Sequence, residues 1–281
     1  MPTFKNLVDD KKNAEPGDVV MTKKAGGLTF DFSGQRFSEV YLDSFIEHVK
    51  EAKVIERFDA IYSGEQANTT ENRPVDHFGY RKEGIAREQS VLDEQERALV
   101  LSEHINKQEY EAIIFFGIGG SQLGPELIQQ TLCYNKNKKI VFITGSDPLE
   151  AEFKTKDLNL DTCAFILASK SFSTIETLKS FELVTQKAHM QNTYAITSNI
   201  AGAEAFGVSR KNILTFSEAT GGRFSIWSPI NLLFLIQLGE NAIVECYLGG
   251  READESLLSA RTLDTPASIY MSAQDILHNN I

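Results

Sequence analysis

Five short apolar runs, each followed by a loop rich in Gly, Ser or Asp, occupy the chain from residue 112 to 225 and leave few folds open. AIIFF at 112–116 leads into GIGGS, KIVFIT at 139–144 into GSDP, and CAFILAS at 163–169 into KSFST. TYAIT at 193–197 leads into SNIAGAEAF, and NILTF at 212–216 into SEATGGR. Helix-like stretches follow the first three, at Gln122–Cys133, Leu149–Lys156 and Ile175–His189. Runs that are apolar without alternation are strands buried on both faces. Separated by helices, they read as βαβ units of a parallel sheet. Right-handed crossovers then make the layout doubly wound. Such sheets hold ligands beyond the carboxyl ends of their strands, where the next helices begin. The loops that matter on this reading are 117–124, 145–148, 169–177 and 217–225.

The chain ahead of these runs reads differently. Residues 41–62 place Leu42, Phe45, Ile46, Val49 and Ala52 at helical spacing, and 88–106 do the same with Leu92, Leu99, Val100 and Leu101. Between them, 63–84 is rich in Gly, Asn, Thr and Pro and reads as a long loop. The expected organisation is a largely helical segment over 1–105, an α/β domain over 106–240, and a helical connection over 241–281.

Charge narrows the partners. The 281 residues carry 28 Lys and Arg against 39 Asp and Glu, a net charge of −11. Such a chain is a poor general partner for nucleic acid or an anionic membrane surface. An anion, if bound, needs a local site that works against the global field. The three cysteines, Cys133, Cys163 and Cys246, have no CxxC spacing, which argues against zinc and for a reducing compartment. The first residues lack the apolar core of a signal peptide. No stretch approaches the roughly 18 apolar residues of a membrane helix, since Asn231 and Gln237 interrupt the run from Ile230 to Leu238. A soluble cytoplasmic protein is expected.

Three loops carry chemistry. In 117–124, Gly-Ile-Gly-Gly-Ser-Gln-Leu-Gly, glycines let backbone approach a ligand, and Gly120 and Ser121 offer donors. A dinucleotide fingerprint needs Gly at the position held by Gln122, which counts against a nucleotide-binding oxidoreductase. A plain strand-to-helix turn remains open for this loop. Residues 169–177 hold five hydroxyls and Lys170. One hydroxyl suffices to cap a helix; five exceed that need and suit a phosphate monoester at a helix start. In 217–225, Gly221-Gly222 sets Arg223 on a turn at the ligand end of the sheet, as a solvated side chain or as a charge beside developing negative charge. The histidines, His48, His77, His104, His189 and His278, form no metal or nucleophile pattern.

Together Gly117–Gly124 with Pro125, Ser169–Thr177 and Gly221-Gly222-Arg223-Phe224-Ser225-Ile226-Trp227-Ser228 resemble phosphoglucose isomerases. Ser63–Arg73 resembles that family's N-terminal loop motif, and the four matches stand in the family's order. The resemblance implies a five-stranded, flavodoxin-like sugar-isomerase domain. It implies reversible conversion of glucose 6-phosphate to fructose 6-phosphate through an enediolate, in glycolysis and gluconeogenesis, with no cofactor or metal. Its implied partners are a phosphorylated hexose and a second copy of the chain in a homodimer. Ser169, Lys170, Ser171 and Thr174 match the phosphate cradle. Gly120 and Ser121 match sugar contacts, and Gly222 with Arg223 matches the pair beside the enediolate, Arg223 being catalytic.

The sequence departs from the family at Pro74–Tyr80, where an apolar helix is usual, and at Pro229. The family's base is a glutamate in a Met-Glu-Ser-Asn-Gly-Lys-like motif, and no such motif stands in these residues. Nor do the family's ring-opening histidine and C-terminal lysine. Gln274–Ile281 resembles the approach to the second sugar-isomerase domain. The expectation is a chain that by itself binds phosphosugar weakly and turns over negligibly. The alternative from another class is a non-catalytic phosphosugar sensor.

Overall fold

The structure is a computed structural model that describes residues 22–25, 28–31, 33, 43, 45, 47, 50–65, 68–69, 72–83, 88–133, 138–185 and 187–260. The chain divides into two compact units, Met1–Thr69 with Leu248–Ile281, and Thr70–Tyr247. In the first unit, β1 (Thr22–Ala25) and β2 (Leu28–Asp31) pair antiparallel, with Thr22 opposite Asp31. The largely helical reading of 1–105 did not include this hairpin. Its signal was present in sequence, because the two residues between the strands are Gly26-Gly27. Helix α1 (Val54–Ser63) follows. Gly64, at φ 87°, ends it by sending its N–H to Ile61 O, while Glu65 N reaches Ala60 O. The helical pattern of 41–62 is broken by the turn at Ala52–Lys53, and Leu42, Ile46, His48 and Val49 lie outside the described residues.

The second unit begins with α2 (Gln89–Lys107) and is built on a sheet of β3 (Ala112–Phe116), β4 (Lys139–Ile143), β5 (Cys163–Ala168), β6 (Thr193–Ile196) and β7 (Ile213–Leu214). All neighbouring pairs are parallel, in the spatial order β4-β3-β5-β6-β7. Alternate residues of each strand feed two cores. Ile113 and Phe115 of β3 join Ala98, Leu101 and Ile105 of α2 and the apolar residues of α7 (Leu232–Leu238). Ala112, Ile114 and Phe116 join the other core, with residues of α4 (Pro148–Thr155), α5 (Ile175–Val184) and α6 (Ile200–Phe206). Every residue of β3 is fully buried, which is why the run carries no polar alternation. Each of its Ile and Phe side chains contributes about 1.5–3 kcal/mol by leaving water.

From β3 the chain winds outward to β4 on one side, then returns to build β5, β6 and β7 on the other. The reversal lies between β3 and β5, and a doubly wound sheet opens its crevice there. Helix α3 (Gly120–Leu132) starts at the end of β3, and α5 starts a few residues past β5. The stretch expected as one helix over Ile175–His189 is interrupted. Thr185 is extended at φ −110° and ψ 160°, its hydroxyl donates to Phe181 O at 2.7 Å, and a separate 3₁₀ turn spans Lys187–Asn192.

Residues 72–83 run without helix, consistent with the loop reading and with Pro74. Among them is Tyr80, fully buried, whose hydroxyl donates to Glu94 Oε2 at 2.7 Å. Burial, with the charge of Asp76 behind it, pushes the Glu94 carboxyl up to about 7 against the opposing pull of the Tyr80 hydrogen bond. The native state therefore holds a proton that the unfolded chain releases near 4.5. That stability is complete below about pH 4.5 and is lost as pH rises through about 7. Glu94→Gln keeps an acceptor for Tyr80 without the titration. Thermal midpoints of the variant are expected to fall less than wild type across that window, and parallel curves would show that Glu94 does not titrate there.

Candidate active site cleft

Three loops meet above the reversal point. The first leaves β3 through Gly119, at φ 55° and ψ −126°, a conformation that a side chain resists. Gly120 opens α3 against the third loop. A Cβ on Gly120 would overlap the Gly222 carbonyl and stand 2.9 Å from Arg223 N. Ser225 Oγ ties the contact by donating to Gly120 O at 3.1 Å. The absence of one side chain thus permits two backbones to touch.

The second loop, 169–174, carries Phe172 at φ 50°, a left-handed conformation costing about 1–3 kcal/mol in a non-glycine residue. Its ring is buried and packs edge-on against Phe206 at 5.7 Å, which anchors the turn. Backbone bonds to the neighbouring strand end hold it from below: Ser169 N to Ile196 O at 3.1 Å and Ser198 N to Lys170 O at 3.0 Å. Thr174 stands at the N-cap of α5 yet caps nothing. Its hydroxyl pairs with Ser169 Oγ at 3.0 Å, so the helix's opening N–H groups are not taken by their own cap side chain. The hydroxyls of Ser171 and Ser173 pair with each other at 2.7 Å. This is not how a run of Ser and Thr behaves when its task is to cap a helix.

The third loop turns at Ser217–Thr220 and enters a 3₁₀ turn over Gly222–Trp227. Neither Gly221 nor Gly222 has positive φ. Gly222 lies where the Gly120 backbone crosses, so a close approach rather than a left-handed turn is its setting. Lys170 Nζ donates to Thr220 O at 3.0 Å and also to Glu218 O. Arg73 Nη1 donates to the same Glu218 carbonyl.

These loops enclose an open cleft of about 710 Å³. Of the residues singled out in sequence, Gly120, Ser121, Ser169, Lys170, Ser171, Thr174 and Gly222 line it together. Arg223 does not line it; it follows Gly222 on the 3₁₀ turn, exposed to solvent. The cleft also takes Arg73, Thr177, Ser198, Asn199 and Glu218. Thr177 follows Thr174 by three residues, and that spacing puts both on one side of the helix start. Its Oγ1 is buried and has no hydrogen-bond partner among the described residues. Such a hydroxyl costs about 1–3 kcal/mol unless something reaches it. Ser198 and Asn199 sit at the carboxyl end of β6, where the rule used for the other strands also points. Arg73 comes from a segment far away in sequence; it closes the Ser63–Arg73 stretch that resembles the family's N-terminal loop motif, but it was given no role at the site.

Loop 145–148 serves structure instead. It follows the edge strand β4, away from the reversal, and Asp147 caps α4 by accepting from Leu149 N at 2.9 Å. Gln122 is buried and bonded to Glu126. His77 stacks on Phe224, His104 meets Tyr194 edge-on, and His189 packs on Phe165 and pairs with Asp161 at 3.1 Å. His278 lies outside the described residues, as does Gln274–Ile281. Among the described residues, no group of three His, Cys, Asp or Glu gathers into a possible metal site.

A doubly wound parallel sheet with a polar cleft at its winding reversal defines a class: an α/β domain whose cleft lies at the carboxyl ends of its strands. The comparisons with known proteins go further. The chain belongs to the phosphoglucose isomerase family, whose model matches residues 31–281. It is 29% identical over 286 residues to glucose-6-phosphate isomerase 4 of Rhodococcus jostii, covering 92% of this chain and 51% of that protein. It is 30% identical over 287 residues to the glucose-6-phosphate isomerase of Shewanella denitrificans, covering 92% and 52%. The chain spans about half the length of these curated relatives. A crystal structure of a glucose-6-phosphate isomerase from Chlamydia trachomatis superposes with a TM-score of 0.76 at 21% identity, covering 90% of this chain and 55% of that one. At that identity the likeness speaks for the fold.

The backbone crossing at Gly120 makes a sharp prediction. Gly120→Ala must push the Gly222 carbonyl away and is expected to cost about 1–3 kcal/mol of stability. Denaturant unfolding checks this, and an unchanged midpoint would show that the two loops do not touch.

Proposed function

We propose that the chain carries the phosphosugar-binding half of an enzyme that interconverts glucose 6-phosphate and fructose 6-phosphate. The observation that carries this reading is the opening turn of α5. Its N-cap threonine leaves the helix N–H groups uncapped, while the hydroxyls of Ser169, Ser171, Thr174 and the unpartnered Thr177 surround it. A phosphate monoester needs many donors and favours the positive end of a helix. Family membership adds the substrate class, and the relatives' names add the reaction.

In this reading the phosphate sits on Ser169, Lys170, Ser171, Thr174 and the α5 backbone. The sugar extends toward Gly120, Ser121 and Gly222. Binding the remote phosphate orients the reacting carbons. Isomerisation moves a proton from carbon 2 to carbon 1 through an enediolate, whose negative charge Arg223 stabilises when its guanidinium swings toward Gly222. The proton-transfer base is assigned to the family's glutamate motif, which these 281 residues do not contain. The reading further takes 241–281 as the lead into a second domain. It takes the protein as a cytoplasmic homodimer; among the described residues no helix is long and apolar enough to cross a membrane.

Calorimetric titration tests the site. Glucose 6-phosphate is expected to bind and glucose is not. Ser169→Ala and Thr174→Ala are each expected to weaken binding about tenfold or more, the worth of a hydrogen bond to a charged group. Equal binding of glucose, or no binding of the phosphate ester, would overturn the assignment. A coupled assay on the 281-residue chain is expected to give negligible turnover; near-normal turnover would refute the placing of the base. In a protein containing the glutamate motif, Arg223→Ala is expected to lower kcat far more than it raises KM.

A further inference from the structure

We propose that the Glu218 carbonyl is a junction coupling anion binding at the 169–177 turn to the position of the turn that carries Gly222 and Arg223, with Arg73 and Lys170 as its positioning residues. The inference rests on the phosphosugar reading of the cleft and adds to it how one loop informs another.

Two cations from distant parts of the chain donate to this one carbonyl. Lys170 belongs to the turn that would hold the anion, and Arg73 to the segment ahead of α2. Lys170 spends a further donor on Thr220 O at 3.0 Å. Its ammonium therefore has two sets of acceptors within the cleft: the loop carbonyls and the anion. A phosphate adds to the hydrogen bond a charge–charge attraction that a neutral carbonyl lacks. An arriving phosphate draws the ammonium toward itself and weakens its hold on Glu218 O and Thr220 O. Arg73 is the second donor to Glu218 O, so the loop's response depends on the bond that it keeps there.

Arg73 does not act alone. Asp76 N donates to Ala219 O at 3.1 Å, and Thr220 Oγ1 donates to Asp76 O at 3.1 Å. The His77 ring stacks on Phe224 with centroids 4.2 Å apart and planes 18° apart. Segments 73–77 and 218–224 are thus joined at four points and shift as one body. At the far end of the 3₁₀ turn, the Arg81 guanidinium lies over the Trp227 ring at 4.4 Å. A displacement that begins at Glu218 has a continuous packed route to Arg223 and to Trp227.

Trp227 is the single tryptophan of the chain, so its emission reports this turn directly. The test titrates the 281-residue chain with inorganic phosphate and with glucose 6-phosphate. Calorimetry measures occupancy, and Trp227 emission is read at saturation. Wild type is expected to bind and to change its emission. At equal occupancy Arg73→Ala is expected to lose most of that change, and Arg73→Lys, which restores one donor to the carbonyl, to recover part of it. Deuterium exchange on the wild-type chain needs no variant: anion binding is expected to alter exchange at 218–224 as well as at 169–177. Full emission response in Arg73→Ala, or exchange changes confined to 169–177, would overturn the coupling while leaving the phosphosugar reading intact. Absence of binding heat for both ligands would overturn the phosphosugar reading and the coupling with it.

Discussion

The reversal of winding between β3 and β5 is the constraint from which the rest follows. Both strands are buried on both faces, so their own side chains serve the two cores. Their helices depart to opposite faces of the sheet, and the space above their carboxyl ends is left to loops. Into that space come an opening helix turn from each side and a third loop that must lie across them. It can do so only because Gly120 has no side chain where the Gly222 carbonyl passes. Phe172, held in a left-handed conformation by its buried ring, supplies the matching constraint on the other side. A strained residue in that position is stable only where packing over-determines it.

The electrostatics of the cleft resolve the problem set by a net charge of −11. The global field disfavours anions, so what favours one must be short-ranged. Hydroxyls and helix N–H groups meet that need, since neither depends on net charge. The two cations in the cleft, Lys170 and Arg73, share a backbone carbonyl, and their first structural effect is to hold a loop. In this arrangement the cationic charge of the cleft also sets loop geometry.

Much of the fold was legible because its cause is local. Uniformly apolar runs such as AIIFF have few places to go except a doubly covered parallel sheet, and the Ser/Thr-rich entry to α5 exceeds the needs of capping. The hairpin at 22–31 had a local signal too, the Gly26-Gly27 pair, which the reading of 1–105 left out. Ser198 and Asn199 obeyed the same strand-end rule as their neighbours. What was not legible is non-local. Arg73 reaches the cleft only because the chain between it and β7 folds back. Lys170 resembled a phosphate ligand in sequence, and only the folded loops show its ammonium on carbonyls. The break at Thr185 depends on which carbonyl a hydroxyl finds.

Taken alone, the amino-acid sequence determined the parallel α/β architecture, the three loops that could carry chemistry, and the family. These depend on periodicity and on short motifs, which a linear chain records. Tertiary structure alone decided that the Thr177 hydroxyl is buried with no partner among the described residues, that Arg223 stands just outside the cleft while Gly222 lines it, and that Arg73 and Lys170 meet on one carbonyl. Each of these depends on how segments far apart in sequence come together. Its geometry follows from how two buried faces of one sheet bring their loops together, which no single segment encodes.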